Sequence, residues 1–484
     1  MKNLIKLLII AATVGLGQSA LTTNAPTFIT QGEIRYIIQT DQRNPISLTR
    51  LSRWLARNHF DVAGMRWHRG QIEVITNEAG IAYLNEAGLR GSELLGEETR
   101  HVDSEYLNPT TLEAKLKSIN QAYPALTRLE QIGRSIQGRP IYALLISTTP
   151  GADDPRALAK PSLIIDGQHH AREIMTSEVV ADVADVLLTS SESSPKVQQL
   201  LSRWNVWLVP MVNVDGTNIV FTQDNMWRKN AHGDQSNVYG VDINRNYPYR
   251  WSGCNGSSNS HGAQDYHGES AASEPETLAM VNLGNKVRPT ASLSYHSYSE
   301  LVLYPYGCNG DYTGEKALVE RIAQELASRL PTDDGRGNYA PGTPWELLYD
   351  VDGSSMDFFY ASFGTLAYTF EINEEFQPSY SKREPTLQKE RVAWEYFMTR
   401  IDQNLLHVVV VDGKTNAPAE ALIGVSAISN TKGELPLKTN VAGHYFKILD
   451  PGQYAIAAKL SDGRVGQIQV QMNGQPQNAK ITVQ

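Results

Sequence analysis

The chain predicts an α/β protein: a central body with a mixed β-sheet flanked by helices, a small α+β domain before it and a β-sandwich after it. Three observations carry this expectation. The apolar run Leu163-Ile164-Ile165 is followed by a helical pattern over 177–188, the strand-then-helix alternation of a sheet covered by helices. Residues 33–95 hold short alternating segments interleaved with helical ones, and residues 405–484 hold short apolar strands separated by Gly, Asn and Pro. A length of 484 residues leaves room for two to four domains.

In the first domain, 33–40 alternates as a strand does, 47–58 has helical periodicity, 71–76 (Gln-Ile-Glu-Val-Ile-Thr) alternates again, and a second helix is expected over 78–87. The central body, 105–404, closes on a helix over 387–403. Strands are then expected at 407–413, 424–428, 444–447 and 454–458, which reads as an antiparallel sandwich. Before all of this, Lys2 and Lys6 precede the apolar stretch 7–14 and small residues up to Ala20, so 1–20 reads as a secretory signal peptide. No apolar segment reaches the roughly 20 residues needed to cross a bilayer. The expected location is therefore secreted or periplasmic, of bacterial type given the compact leader. A net charge of −9 without a basic run argues against nucleic acid as a partner.

The most informative segment is Gly167-Gln168-His169-His170-Ala171-Arg172-Glu173, directly after the apolar run. It sets a histidine three residues before a glutamate at the end of a strand, where an imidazole and a carboxylate can meet at one point. Catalytic zinc sites typically take three protein ligands and leave a position for water. Further on come Trp227-Arg228-Lys229-Asn230, Val241-Asp242-Ile243-Asn244-Arg245-Asn246, Tyr295-His296-Ser297-Tyr298-Ser299 and Thr369-Phe370-Glu371. An acid inside an apolar run such as the last is costly to bury unless it is paired or used.

Together these motifs, with Tyr349 and Gly353-Ser354-Ser355-Met356-Asp357, resemble the zinc carboxypeptidases, the funnelin metallocarboxypeptidases, over roughly 105–404. The resemblance implies one Zn²⁺ held by His170, Glu173 and His296, with Asp242 orienting the first histidine. The motif selects His170 over His169, since only His170 has Glu at the third position after it. It further implies Glu371 as general base, Arg228 as the oxyanion donor, and Asn244 and Arg245 as the grip on a free C-terminal carboxylate, a task suited to a planar guanidinium. Tyr349 corresponds to a tyrosine that closes over the bound terminus and Arg172 to a subsite residue. The partners implied are peptides or proteins with a free C-terminus.

Met356 and Gly307 match positions lining the specificity pocket. An apolar, adaptable methionine there favours apolar or aromatic C-terminal residues, while Asp350 and Asp352 are acids close enough in sequence to reach the pocket and favour Lys or Arg instead. Cys254 and Cys308 are the only cysteines; in an exported protein a disulfide is the leading expectation, with two separate thiols as the alternative. The first domain occupies the place of a propeptide that would cover the cleft, or is a permanent accessory domain; Arg90 and Arg100 are the candidate cutting points. The last domain resembles the transthyretin-like domain appended to many carboxypeptidases, and its partner is left open. Competing functions are a peptidase of cell-wall or modified peptides, and an inactive protein that binds peptide termini.

Overall fold

The computed structural model describes residues 34–40, 45–94, 102–151, 155–234, 237–426, 428 and 432–484. The expected leader at 1–20 and the candidate cutting point Arg100 lie outside them.

The first domain is a four-stranded antiparallel sheet in the order Asp61–Arg66, Gln71–Thr76, Ile34–Gln39, Gly91–Glu93, with helices Pro45–Arg57 and Glu78–Glu86. Asp61–Arg66 is an edge strand that sequence periodicity does not announce. Its residues Asp-Val-Ala-Gly-Met-Arg break alternation, because small side chains sit where the strand lies against another surface and a bulge falls between Val62 and Gly64.

The central body is built on an eight-stranded sheet. Its order is Ala340–Gly342, Leu301–Leu303, Leu366–Ile372, Ala291–Ser297, Ser162–Gly167, Asn205–Val209, Pro140–Ile146, Thr127–Arg134. The four strands from Leu366–Ile372 to Asn205–Val209 are mutually parallel and the flanks bring in antiparallel pairs, so the sheet is mixed. The parallel strands are buried along nearly their whole length, as expected of a sheet covered by helices on both faces. Their carboxyl ends point to one edge of the body, the usual place for a site in such sheets.

The C-terminal domain has its own apolar core, including Val408, Val410, Ile423, Tyr445, Ile456, Met472 and Ile481. It comprises two three-stranded sheets. One expectation needs correction: the sandwich is not purely antiparallel, since Leu405–Asp412 pairs in parallel with Gln477–Val483. That last strand and Val465–Met472 were not foreseen, because glutamines dilute their alternation; only Ile468, Val470 and Met472 mark the apolar face.

One buried acid of the central body yields a stability prediction. Glu390 is fully buried, Oε2 has no hydrogen-bond partner, and Oε1 accepts only a 3.4 Å bond from the Tyr339 hydroxyl. Burial pushes its pKa from 4.5 up to about 7. The folded state thus binds this proton more tightly, so its contribution is complete below pH 4.5 and is lost as pH rises through about 7. Glu390→Gln should flatten the pH dependence of unfolding across that window, by about 3 kcal/mol at most. Parallel curves for variant and parent in denaturant melts from pH 4 to 8 would refute this.

Candidate metal centre and peptide cleft

The strand Ser162–Gly167 ends in a turn at Gln168, whose φ of 54° is left-handed. The Gln168 amide pins the turn from inside, donating to Ala171 O at 3.1 Å and accepting from the Ser177 hydroxyl. The turn aims His170 and Glu173 at His296, which projects from the neighbouring strand Ala291–Ser297. His296 is in register with Glu371 on the adjoining parallel strand, so the two belong to one row across the sheet.

His170, Glu173 and His296 form the one potential metal-holding group among the described residues, with donor atoms within 4.8 Å of one another. The two Nδ1 atoms are 3.2 Å apart, and the Glu173 oxygens lie 2.6 Å from His170 Nδ1 and 3.0 Å from His296 Nδ1. Two imidazole nitrogens and a carboxylate this close, all buried, do not satisfy one another by hydrogen bonds alone, and Glu173 Oε2 has no such partner. Donors around a tetrahedral zinc stand about 3.3 Å apart from bond lengths of about 2.0 Å, so the set fits that ion. His170 Nε2 donates to Asp242 Oδ1 at 3.2 Å, which leaves the Nδ1 lone pair facing the trio. Burial opposes the Glu173 charge, but the two imidazoles prevail and hold its carboxyl below the ordinary range. Burial lowers His296 and favours its neutral, ligating form.

His169 stays outside the trio. Its Nε2 lies 2.8 Å from the Tyr247 hydroxyl and its ring stacks on His296 with centroids 5.4 Å apart.

Asp242 is shared. Its Oδ2 accepts from Arg228 Nε at 3.1 Å and Nη2 at 2.8 Å, leaving Arg228 Nη1 on the Glu173 side, 4.0 Å from Oε1. Arg228 also reaches the metal turn through its carbonyl, which accepts from Ala171 N at 2.9 Å. Asn244 caps the same aspartate through its backbone N–H, and Ser355 N donates to its Oδ1 at 2.9 Å, which fixes the amide. Asn244, Arg245, Tyr349, Met356 and Glu371 line one cleft with His170, Glu173 and Arg228, and Leu303, Pro344, Leu348 and Val351 supply apolar wall. Glu371 is partly buried; burial and then the Glu173 charge push its carboxyl well above the ordinary range, against Arg228 and Arg245. A cation held by the trio acts in the opposite sense.

Several positions sit differently from what sequence alone suggests. Asp352 does not face the pocket: its carboxylate accepts from Cys254 N, Gly256 N and the Ser257 hydroxyl. Asp350 pairs at 3.4 Å with the exposed Arg57. The cleft wall at Met356 is therefore apolar. Cys254 and Cys308 are bonded to each other, with both sulfurs under 4 Å from Val351 O. Arg172 is fully buried and makes a bidentate pair with Asp61 of the first domain, at 2.7 and 2.9 Å.

A first domain covering the cleft was one of two readings of the sequence; which of its residues reach the site was not foreseen. Val62, Ala63 and Gly64 line the cleft. A Cβ at Gly64 would lie 2.5 Å from the Tyr298 ring, so glycine is required for this approach. Glu73, paired with Arg35 and Arg66, accepts the Tyr298 hydroxyl at 2.6 Å. On the other side, the carbonyls ending the short helix Pro344–Leu347 accept from the helix Pro45–Arg57: Thr49 to Glu346 O at 3.0 Å, Ser52 to Leu348 O, and Arg53 to Trp345 O. The quoted His-Ser-Tyr-Ser motif contained Tyr298, but nothing local in sequence signals a partner in another domain.

Fold and site together define the class: an α/β protein with a buried His-Glu-His trio that could hold one metal ion. Residues 112–393, more than half of the chain, match the zinc carboxypeptidase family, and the chain belongs to that family. Zinc is accordingly the metal this donor set is built for. The chain is similar to zinc carboxypeptidase A 1 of Anopheles gambiae, with 30% identity over 275 residues, 56% of this chain and 61% of that protein. It is also similar to bovine carboxypeptidase A1, with 32% identity over 257 residues, 52% of this chain and 58% of the other. The chain thus spans about three-fifths of the length of these curated relatives. Among solved structures, bovine thrombin-activatable fibrinolysis inhibitor in complex with tick carboxypeptidase inhibitor aligns with a TM-score of 0.54 and 26% identity, over 61% of this chain and 97% of that one. A second structure of thrombin-activatable fibrinolysis inhibitor aligns with a TM-score of 0.61 over 76% of this chain and 98% of its own; at 22% identity it shows the shared fold alone. No described helix is long and apolar enough to cross a membrane.

The donor set carries its own prediction. Chelation should abolish turnover and lower the unfolding midpoint, and added Zn²⁺ should restore both. A ligand present at a hundredfold excess over its Kd stabilises by about 2.7 kcal/mol. Zinc that leaves the melting curve of the chelated protein unmoved would exclude the trio as a tight site.

Proposed function

We propose that this chain is a zinc-dependent carboxypeptidase that removes one residue from the free C-terminus of a peptide or protein, preferring apolar or aromatic residues. One observation carries this reading: Asn244, Arg245 and Tyr349 share a cleft with the metal trio and Glu371, beside an apolar wall that includes Met356. In this arrangement Arg245 and Asn244 hold the terminal carboxylate, and Tyr349 closes over it. The side chain to be released rests against Met356, Val351 and Leu303. Lewis acidity is the chemistry zinc supplies when bound, polarising the scissile carbonyl and water. Glu371 takes the proton of the attacking water as its oxygen adds to the carbonyl carbon. Arg228 offers its free N–H groups to the oxyanion. As the C–N bond breaks, Glu371 returns the proton to the leaving amine.

The first domain supports a propeptide-like reading, since its edge strand runs along the cleft and Asp61 engages Arg172. We infer export from the leader pattern, and the Cys254–Cys308 bond suits an oxidising compartment. The two-sheet C-terminal unit supports the transthyretin-like reading. The test is a panel of blocked peptides ending in Phe, Leu, Lys, Arg or Glu. Fastest release of Phe and Leu is expected; preference for Lys or Arg would overturn the apolar reading, and no release from any form of the protein would favour a terminus-binding protein.

A further inference from the structure

Val351 lines the cleft with Met356, whereas Gly307, expected to line it, instead backs Val351 from outside the lining; this wall is supported from two sides. From within the central body, Gly307 N donates to Asp357 at 2.9 Å and Val351 N to Gly307 O at 3.0 Å. A Cβ at Gly307 would come within 2.4 Å of Val351 O, so the two segments are in direct backbone contact. The Cys254–Cys308 bridge packs against the same carbonyl.

The second support comes from the other domain. Tyr306, which immediately precedes Gly307, is fully buried, and its hydroxyl donates to Glu434 Oε1 of the β-sandwich at 2.8 Å. The Tyr249 hydroxyl donates to Lys432 O at 2.8 Å, and Lys432 Nζ lies 2.5 Å from the Asp311 carboxylate. Leu435 N donates at 2.7 Å to Ala361 O, on the helix Ser355–Phe363 that also carries Met356. Tyr306 in turn packs edge-on against Tyr360 of that helix, with centroids 5.5 Å apart. One short segment of the sandwich therefore touches both the residue before Gly307 and the helix that carries Met356. The remaining contacts between the two domains include Arg321 and Arg400 with Asp450, on helices that do not line the cleft.

We propose that the C-terminal β-sandwich is a specificity-positioning element: Glu434, through Tyr306, holds Gly307 against the back of Val351 and so sets how large a side chain the pocket accepts. A buried phenol needs an acceptor, and a hydrogen bond to a charged group is among the stronger ones. Here that acceptor belongs to a different domain, so part of the wall's firmness comes from one bond to the sandwich. The proposal rests on reading this cleft as the specificity pocket.

The test uses the full chain and two readouts. Glu434→Ala and Tyr306→Phe each remove one half of the bond, Glu434→Gln keeps an acceptor oxygen, and Asp450→Asn loosens the same two domains elsewhere. Hydrogen exchange at 304–311 and 349–353 should quicken in the first two and not in Asp450→Asn. The ratio of kcat/KM for substrates ending in Phe and in Ala should shift about three- to tenfold, mainly through KM, a fraction of what one such bond supplies, because the bond acts on the substrate only through the wall. Glu434→Gln should recover most of that shift. Unchanged exchange in folded Glu434→Ala and Tyr306→Phe overturns the proposal whatever the enzyme cleaves. So does an equal effect of Asp450→Asn, which marks general loosening. A parent protein that prefers Lys overturns the apolar reading alone, because the exchange data and the variant-to-parent ratios are read independently of it.

Discussion

Glu371→Gln is expected to reduce kcat by about 10²- to 10⁴-fold, the usual contribution of a positioned general acid–base, with KM little changed. The substitution conserves shape, so the row that sets residue 371 beside His296 on adjoining strands should persist. What is lost is a carboxylate able to receive and return a proton. Burial and the Glu173 charge already raise its affinity for a proton, while Arg228 and Arg245 oppose that; the residue is thus held between two opposing electrostatic influences, as a group that gains and loses a proton in each cycle needs to be. Steady-state kinetics with a peptide ending in Phe, together with zinc content of the variant, provide the check. A variant with full zinc and parental kcat would remove Glu371 from the mechanism, whereas loss of zinc would show that the substitution disturbed the metal trio.

The second large effect concerns the first domain. Asp61→Asn in the full chain should raise kcat/KM by about a hundredfold. Arg172 and Asp61 are both buried and paired through two hydrogen bonds. Breaking a buried pair typically costs 3–5 kcal/mol, and each 1.4 kcal/mol is tenfold in an equilibrium, so the strand that lines the cleft should detach far more often. Detachment also frees Arg172 and Tyr298, and relaxes the hydrogen bonds that Thr49, Ser52 and Arg53 make to the loop leading to Tyr349. If activity instead falls with the unfolding midpoint, the domain is a permanent support and not a cover.

How much of this was legible beforehand depended on the range over which each signal acts. The pairing of His170 with Glu173 was readable because it is local, within one turn; His296, Glu371 and their surroundings were assigned by the resemblance of several ordered motifs, each on or beside an apolar strand. The layered α/β body and the β-rich tail followed likewise from periodicity, which needs only a few neighbouring residues. Strand Asp61–Arg66 escaped because close approach selected small residues and erased the alternation.

The partners of the charged groups belong to another order of information. Nothing near Arg172 in sequence points to Asp61, 111 positions away, nor does anything near Tyr306 point to Glu434, 128 positions away. Asp352 looked free to enter the pocket until the fold surrounded it with the N–H groups of Cys254 and Gly256. A carboxylate's role is decided by whichever donors stand within about 3 Å of it, and packing brings those donors together from distant parts of the chain. The residue types thus specify which chemistry is possible, and the tertiary structure selects the partner, the wall and the cover that each residue receives.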